Sequence, residues 1–265
     1  MRDLKVTLVQ TELIWEDVES NLSILTRKID SIQEDTQLII LPEMFSTAFS
    51  TNVEKLAEDM NGPAVRWLLD MSRRTGADIA GSVMLKENGS YLNRLIWARP
   101  DGTFLTYDKR HLFRMGREHD YYSAGSRHLT VDLSGWKIRP FICYDLRFPC
   151  WIRNIENAYD IAVFVANWPG KRSFHWNTLL TARAIENQCY VIGVNRVGVD
   201  GKGLAHSGDS CIMDYFGETV FQHSYSECIH TAALSYEKLR DYRNKFPAWM
   251  DSDPVMIKTG SGIEG

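Results

Sequence analysis

The chain of 265 residues carries a net charge of −4, is 44% hydrophobic and 24% charged, and has five cysteines. These are the proportions of a globular protein and exclude a disordered or fibrous chain. The pI near 6.0 argues against a basic nucleic-acid footprint, and no apolar run reaches the ~18 residues of a membrane span. An odd cysteine count in a chain long enough to bury a large core points to free thiols in a reducing, cytoplasmic setting. Met1-Arg2-Asp3-Leu4-Lys5 runs straight into a strand-like segment without an apolar signal stretch.

Lys5 to Gln10 reads as a strand. Val18, Leu22, Leu25, Ile29 and Ile32 recur at spacings of 4, 3, 4 and 3, one face of a helix. Gln37 to Leu41 is a short apolar run, as in a strand buried on both faces. Pro63 opens a helix through Arg74, which Gly76 closes. Asp78 to Leu85 and Tyr91 to Ala98 read as strands joined by a hairpin turn at Glu87-Asn-Gly-Ser90. Pro100-Asp-Gly102 turns the chain into a strand from Thr103 to Tyr107. Ile138 to Tyr144 and Asp160 to Ala166 are apolar strands with a helix, Pro149 to Ala158, between them. Phe174 to Gln188 reads as a helix, Cys189 to Asn195 as a strand and Gly198 to Gly203 as a turn. Ser210 to Asp214 pairs with Glu218 to His223, and the last strand spans Ile229 to Leu234 before a short helical piece. From Phe246 the tail, ending Thr259-Gly-Ser-Gly-Ile-Glu-Gly265, is irregular. The hairpins make this mixed α/β rather than a doubly wound parallel sheet. With no repeat or linker, residues 1–265 read as one domain with an extended tail from about 246.

Three apolar strands each end in a reactive residue: Leu38-Ile-Ile-Leu-Pro-Glu43, Thr106-Tyr-Asp-Lys109-Arg-His-Leu-Phe113 and Phe141-Ile-Cys143-Tyr-Asp-Leu-Arg-Phe-Pro149. Ligand sites of α/β sheets gather at strand exits, where a Glu, a Lys and a Cys could converge. Each residue alone has a blander reading. The cysteine suits a small buried hydrophobe, the glutamate a helix cap, and Lys109 a solvated charged run. Spacing by itself does not choose.

Together the segments resemble the nitrilase-like carbon–nitrogen hydrolase superfamily, marked by a Glu-Lys-Cys triad in this order. Leu41-Pro-Glu-Met44, Tyr107-Asp-Lys-Arg-His-Leu-Phe113 and Cys143-Tyr-Asp-Leu-Arg-Phe-Pro149 look like its three motifs. Asn167-Trp-Pro169, His175-Trp, Ala182-Arg-Ala-Ile-Glu-Asn187, Gly193-Val-Asn195 and His206-Ser-Gly208 with Ser210 extend the likeness over nearly the whole chain. The resemblance implies a four-layer α-β-β-α sandwich with two mixed sheets. It implies catalysis by Glu43, Lys109 and Cys143, and no metal or organic cofactor. An ordinary thiol is only a few per cent thiolate at pH 7, so Cys143 needs Glu43 as base. Lys109 and the backbone N–H of Tyr144 are the implied oxyanion donors, and water then hydrolyses a thioester. Glu118, in Arg114-Met-Gly-Arg-Glu118-His119, matches a further family glutamate that would orient Lys109; its alternative is a surface carboxylate beside Arg117. His111, His175 and His206 are too dispersed for familiar metal-site spacings. Asp145 and Arg147 are expected to pair and shape the turn. Cys150, the best rival nucleophile, has no acid–base constellation.

Arg110-His-Leu-Phe-Arg-Met, Glu118-His, Asn167-Trp-Pro and Arg172-Ser-Phe-His-Trp176 look most like the omega-amidase (2-oxoglutaramate amidase) branch. Its members hydrolyse the terminal amide of small 2-oxo dicarboxylate monoamides. Such substrates carry a carboxylate, which arginine pairs bidentately; Arg172, Arg147 or Arg114 could supply it. Phe45, Phe113, Trp168, Phe174 and Trp176 either wall a small pocket or pack in the core. Alternatives are another short-chain amide, an N-carbamoyl compound or a nitrile, or, outside catalysis, a binding module of the same fold. The family's habit implies a homodimer through the helices of Pro149–Ala158 and Phe174–Gln188, with the C-terminal segment crossing to the partner. No nucleic acid or membrane partner is expected.

Overall fold

The computed structural model describes residues 3–255 and the backbone of 257–259 and 262–264. The first half of the chain alternates strand and helix: β1 (Leu4–Gln10), α1 (Val18–Asp30), β2 (Leu38–Ile40), a single turn α2 (Val53–Leu56), α3 (Pro63–Thr75) and β3 (Asp78–Glu87). A meander follows through β4 (Ser90–Ala98) and β5 (Phe104–Asp108). Asp17 caps α1 by accepting the Ser20 N–H at 3.0 Å. Pro63 stands in the first turn of α3, and Gly76 ends it at φ +71°, a conformation glycine adopts without a Cβ penalty. Glu58 accepts the N–H groups of Ala64 and Val65, two donors that the first turn of a helix leaves unpaired.

The second half holds β6 (Val131–Leu133), β7 (Trp136–Ile142), a 3₁₀ turn over Cys143–Arg147, α4 (Pro149–Ile152), β8 (Ile161–Ala166), α5 (Ser173–Asn187) and β9 (Tyr190–Asn195). Then come β10 (Val197–Val199), β11 (Ala205–Met213), β12 (Thr219–Ser224), β13 (Cys228–Leu234) and α6 (Tyr236–Lys245). One sheet has the order β13-β1-β2-β3-β4-β5; the other runs β10-β11-β9-β8-β7-β6, with β12 also on β11. Parallel pairs (β1/β2, β2/β3, β7/β8, β8/β9) mix with antiparallel hairpins in both.

The pleat sorts the first sheet's side chains into two cores. Val9, Ile39, Ile79, Ile96 and Ala98 pack with Leu25, Ile29, Leu68 and Met71 of α1 and α3. Their neighbours Leu8, Leu38, Ile40, Ala80, Leu95 and Trp97 join Ile138, Phe141, Phe164 and Val165 of the second sheet. The second sheet's other face meets α5. A Cβ on Gly193 of β9 would lie 2.6 Å from Leu180, so glycine permits that close approach. The layers are therefore α-β-β-α, as expected.

Several elements differ from the sequence expectation. The helix from Pro149 stops at Ile152 instead of Ala158. Asn154 interrupts it: its N–H goes to Asn187 Oδ1 (2.8 Å) and its amide closes on Tyr159 from both ends (2.9 and 3.0 Å). The strand expected through Tyr144 ends at Ile142 because Cys143 turns to φ +44°. The turn expected over Gly198–Gly203 begins as β10, and the strand expected from Ser210 begins at Ala205 as its partner. In the tail, Ala248–Asp251 forms a 3₁₀ turn, and β14 (Ile257–Thr259) pairs with β15 (Gly262–Glu264), so irregularity from Phe246 is only partial. Residues 256, 260, 261 and 265 of the tail lie outside the described residues.

Candidate active site

Four strands deliver side chains to one edge of the sandwich. β2 and β5, in the first sheet, lead to Glu43 and Lys109; β7 and β8, in the second, lead to Cys143 and Asn167. Past β2 the chain stays tied to β3: Met44 N–H donates to Ser82 Oγ and Phe45 N–H to the Ser82 carbonyl. Across the seam, Asn167 N–H donates to Glu43 Oε2 at 2.8 Å, and Asn167 Nδ2 donates to the Glu43 carbonyl at 2.5 Å.

The left-handed backbone at Cys143 is costly for a residue with a Cβ and persists only where its surroundings fix it. Asp145 supplies that fixing. Its Oδ2 accepts Ile142 N–H (3.0 Å) and Tyr107 O–H (2.8 Å), and its Oδ1 accepts the backbone and Nδ1 protons of His111 (2.9 and 2.8 Å). Asp145 thus spends itself on the floor beneath the turn rather than on Arg147, contrary to expectation. Arg147 instead lies 4.9 Å over the Trp168 ring and contacts His175 Nδ1 at 3.1 Å.

Lys109, Glu43 and Glu118 are buried together, at 1%, 0% and 0% exposure. Lys109 Nζ donates to Glu43 Oε1 at 2.8 Å and lies 3.0 Å from Glu118 Oε2. Phe113 N–H donates to Glu118 Oε2 at 2.6 Å. Burial alone would lower Lys109, but Glu118 and Glu43 on its two sides hold it well above the usual lysine range. Burial pushes the Glu118 carboxyl up against the pull of Lys109. Burial also pushes the Cys143 thiol well above its usual value; the Glu43 charge adds to this, and Lys109 only partly offsets it. Cys143 and Glu43 line the same pocket. A thiol beside a carboxyl group is an arrangement that can pass a proton as the sulfur attacks an electrophile.

These groups open onto a pocket of about 460 Å³, within the ordinary range for small-molecule sites. Phe49, Phe113, Trp168 and Leu204 supply apolar wall; Arg147, Arg172, Lys171 and Lys202 stand around the mouth. Arg172 lies 5.4 Å over the Phe113 ring, and Lys202 lies 5.6 Å over the Trp15 ring. Among the described residues no carboxylate forms an ion pair with any of these four mouth cations.

Comparison with known proteins decides the family. A carbon–nitrogen hydrolase family model matches residues 5–244. The chain belongs to the carbon–nitrogen hydrolase family. It is 46% identical over 260 residues to the omega-amidase YafV of Escherichia coli (strain K12), covering 97% of this chain and 100% of that one. It is 32% identical over 250 residues to the 2-oxoglutaramate amidase of Bacillus subtilis (strain 168), covering 93% and 96%. Among solved structures, XC1258 of Xanthomonas campestris, a superfamily protein with an arsenic adduct in its active site, superposes with a TM-score of 0.95. That pair shares 43% identity and covers 97% and 100% of the two chains. The protein is therefore a hydrolase of carbon–nitrogen bonds other than peptide bonds, with relatives named as amidases.

In this hydrolase the structure brings together Glu43, Lys109, Glu118 and Cys143, and of the expected pocket residues it lines the cavity with Phe113, Tyr144, Arg147, Trp168 and Arg172. Four others stand elsewhere. Phe45 is fully buried against Trp67, at 5.6 Å, in the helix-side core, because the chain has left β2 and turns at Met44 (φ +44°) between it and Glu43. Arg114 is solvent-exposed at the start of a 3₁₀ turn whose next three residues line the pocket. Phe174, in the first turn of α5, is 79% exposed. Trp176 is fully buried behind Trp168, its indole N–H on the Asp209 carbonyl at 2.9 Å. His206, expected to be a dispersed structural histidine, lines the pocket, and burial lowers it to about 4. Phe49 and Lys202 also line it without a motif to signal them. Asn167 could have been chosen from the Asn167-Trp-Pro169 likeness.

Proposed function

We propose that this hydrolase is a cysteine-dependent amidase releasing ammonia from the terminal amide of small 2-oxo dicarboxylate monoamides such as 2-oxoglutaramate and 2-oxosuccinamate. The observation that carries the reading is Cys143 and Glu43 facing one pocket, with buried Lys109 held between Glu43 and Glu118. Glu43 takes the thiol proton as sulfur attacks the amide carbon. The oxyanion is met by Lys109 Nζ and the Tyr144 N–H, one of the early donors that a 3₁₀ turn leaves without a partner inside itself. One such donor is typically worth ~2.7–4 kcal/mol in the transition state. Glu43 returns the proton to the nitrogen, the C–N bond breaks and ammonia leaves a thioester on Cys143. Glu43 then takes a proton from water as it attacks the thioester. The C–S bond breaks, the acid leaves and the thiol is restored. Glu118 keeps Lys109 aimed throughout. These steps call on no metal or organic cofactor.

The substrate reading rests on the pocket mouth. A monoamide of this class ends in a carboxylate, and Arg147 and Arg172 are guanidinium groups on the pocket wall without a carboxylate partner. The omega-amidase and 2-oxoglutaramate amidase names of the relatives support the same class. The test is ammonia release across 2-oxoglutaramate, 2-oxosuccinamate, glutamine, a simple aliphatic amide, an N-carbamoyl amino acid and a nitrile. The two oxo-acid amides should lead; if any of the other four leads, the substrate reading fails. Undiminished release by Cys143→Ala would remove the mechanism.

The chain works as one hydrolase domain in this reading, as a homodimer. Exposed Ile185 of α5 and Phe216 packed on Tyr242 give an apolar outer face for a second copy, beside which the tail could cross. A monomeric mass by light scattering contradicts this. A reducing cytoplasm suits a catalytic thiol and five free cysteines.

A further inference from the structure

The middle of β4 contributes a residue that none of the strand-exit motifs contains. β4 and β5 pair antiparallel with Arg94 opposite Asp108. The ladder continues one step beyond β5, where Lys109 N–H donates to the Asn93 carbonyl at 3.0 Å. Directly opposed residues of such a pair share a face, so the register seats the Asn93 side chain beside that of Lys109. Arg94 locks this register with a two-pronged contact to Asp108 (2.6 and 2.9 Å).

Asn93 is 1% exposed. Its Nδ2 donates to Glu43 Oε1 at 2.8 Å and to Glu118 Oε1 at 3.2 Å, while its Oδ1 is buried without a partner. A buried acceptor left unmatched is costly. The opposite amide orientation would aim that oxygen at two carboxylates. The side chain therefore gives up an acceptor to offer both protons to acids. Lys109 and Asn93 each bridge the same two carboxylates, closing a ring of four groups.

We propose that Asn93 is a positioning residue of the site: its amide clamps Glu43 and Glu118 around Lys109 and keeps Glu43 in the unprotonated form that accepts the Cys143 proton. The charge count explains the need. One ammonium faces two buried carboxylates, so the cluster carries an excess negative charge that invites a proton from solvent. Two N–H donors stabilise the anionic forms without adding a charge that would compete for the substrate. The other titratable groups facing the cluster are Cys143 and Tyr122. The Tyr122 hydroxyl gives its proton to the Ser50 carbonyl at 2.7 Å, so neither it nor the thiol replaces the lost donors.

The inference rests on the reading of Glu43 as base, and the experiment separates the two. The pH dependence of kcat/KM for 2-oxoglutaramate is measured for the wild type, Asn93→Leu, Asn93→Asp, Glu43→Gln and Cys143→Ala. The last two should be slowed at least about a hundredfold; near-wild-type activity in Glu43→Gln overturns the parent reading, whatever Asn93 does. Asn93→Leu should move the acidic limb upward by about one pH unit or more, lower kcat at pH 7 at least about tenfold, and recover towards the wild type at higher pH. KM should stay within a few-fold. Asn93→Asp, of nearly the same shape, should move the limb further, and folding only at low pH would support the same charge argument. An unmoved limb with kcat lowered equally at every pH overturns the proposal. So does failure of both variants to fold at any pH, which would make Asn93 a residue of the fold.

Discussion

The floor and the mouth of the pocket are built on opposite principles. At the floor, charges are buried, paired and tied to both sheets: Lys109 contacts two carboxylates, and Asn167 joins Glu43 across the seam. At the mouth, Lys171 and Lys202 are exposed, Arg147 and Arg172 are half-buried, and the two arginines rest on aromatic faces without a carboxylate. Buried charge costs so much to leave unmatched that the floor can have only one arrangement. Cations still in reach of water are inexpensive to keep waiting for an anion. Chemistry is assigned to the part that cannot move, and selection to the part that can accommodate.

Substitutions should separate the two regions. The largest effect is expected from Lys109→Met. It strands two buried carboxylates and should lower unfolding free energy by ~3–5 kcal/mol in urea titrations as well as removing turnover. A variant as stable as the wild type would show that the floor is not electrostatically closed. Glu43→Gln keeps the shape and should lower kcat by ~10²–10⁴-fold with KM little changed, measured by ammonia release. Arg172→Ala or Arg147→Ala should instead raise KM for the oxo-acid amide by about tenfold or more and leave kcat and a neutral aliphatic amide nearly unaffected, since a hydrogen bond to a charged group is worth ~1.5–3 kcal/mol. If kcat falls in parallel for both substrates, mouth and floor are not separable. Raising salt from low to about 0.5 M should lower kcat/KM for the anionic substrate a few-fold, and not for the neutral one.

The smallest effect concerns acid stability. Burial lowers both His128 and His206 from 6.5 to about 4. The unfolded chain then binds more protons between those values, so their contribution to stability is full above pH 6.5 and is lost as pH falls towards 4. Urea midpoints across that window should decline, and His206→Asn should decline less. A histidine this hard to protonate also means that the mouth gains no extra positive charge from it between pH 7.5 and 5.

Much of the site is legible because strands announce their own ends. Leu38-Ile-Ile-Leu-Pro-Glu43 and Phe141-Ile-Cys143 each switch from apolar run to reactive residue at the sheet edge, and the structure keeps them there. What the sequence leaves hidden depends on facing. Phe45 lies only two positions from Glu43, yet the left-handed turn at Met44 sends it into the helix-side core. Phe174 and Trp176 are near neighbours on α5, one bare to solvent and the other fully covered, because helical rotation separates them. Asn93 has no local signal, as its meaning comes from the β4/β5 register. The end of the Pro149 helix is set by Asn187, 33 positions away.

The hydrogen bond from Asn167 to Glu43 spans 124 positions of chain, and the bond from Lys109 to Glu43 spans 66. The groups proposed to react, from Glu43 to Cys143, themselves lie 100 positions apart. During synthesis β1 to β5 leave the ribosome with Glu43 and Lys109 ahead of Cys143, and β13 completes their sheet only near the end. On refolding, helix and strand signals should therefore recover before ammonia release does. In the proposed mechanism the thiol meets its base only once the two sheets have met.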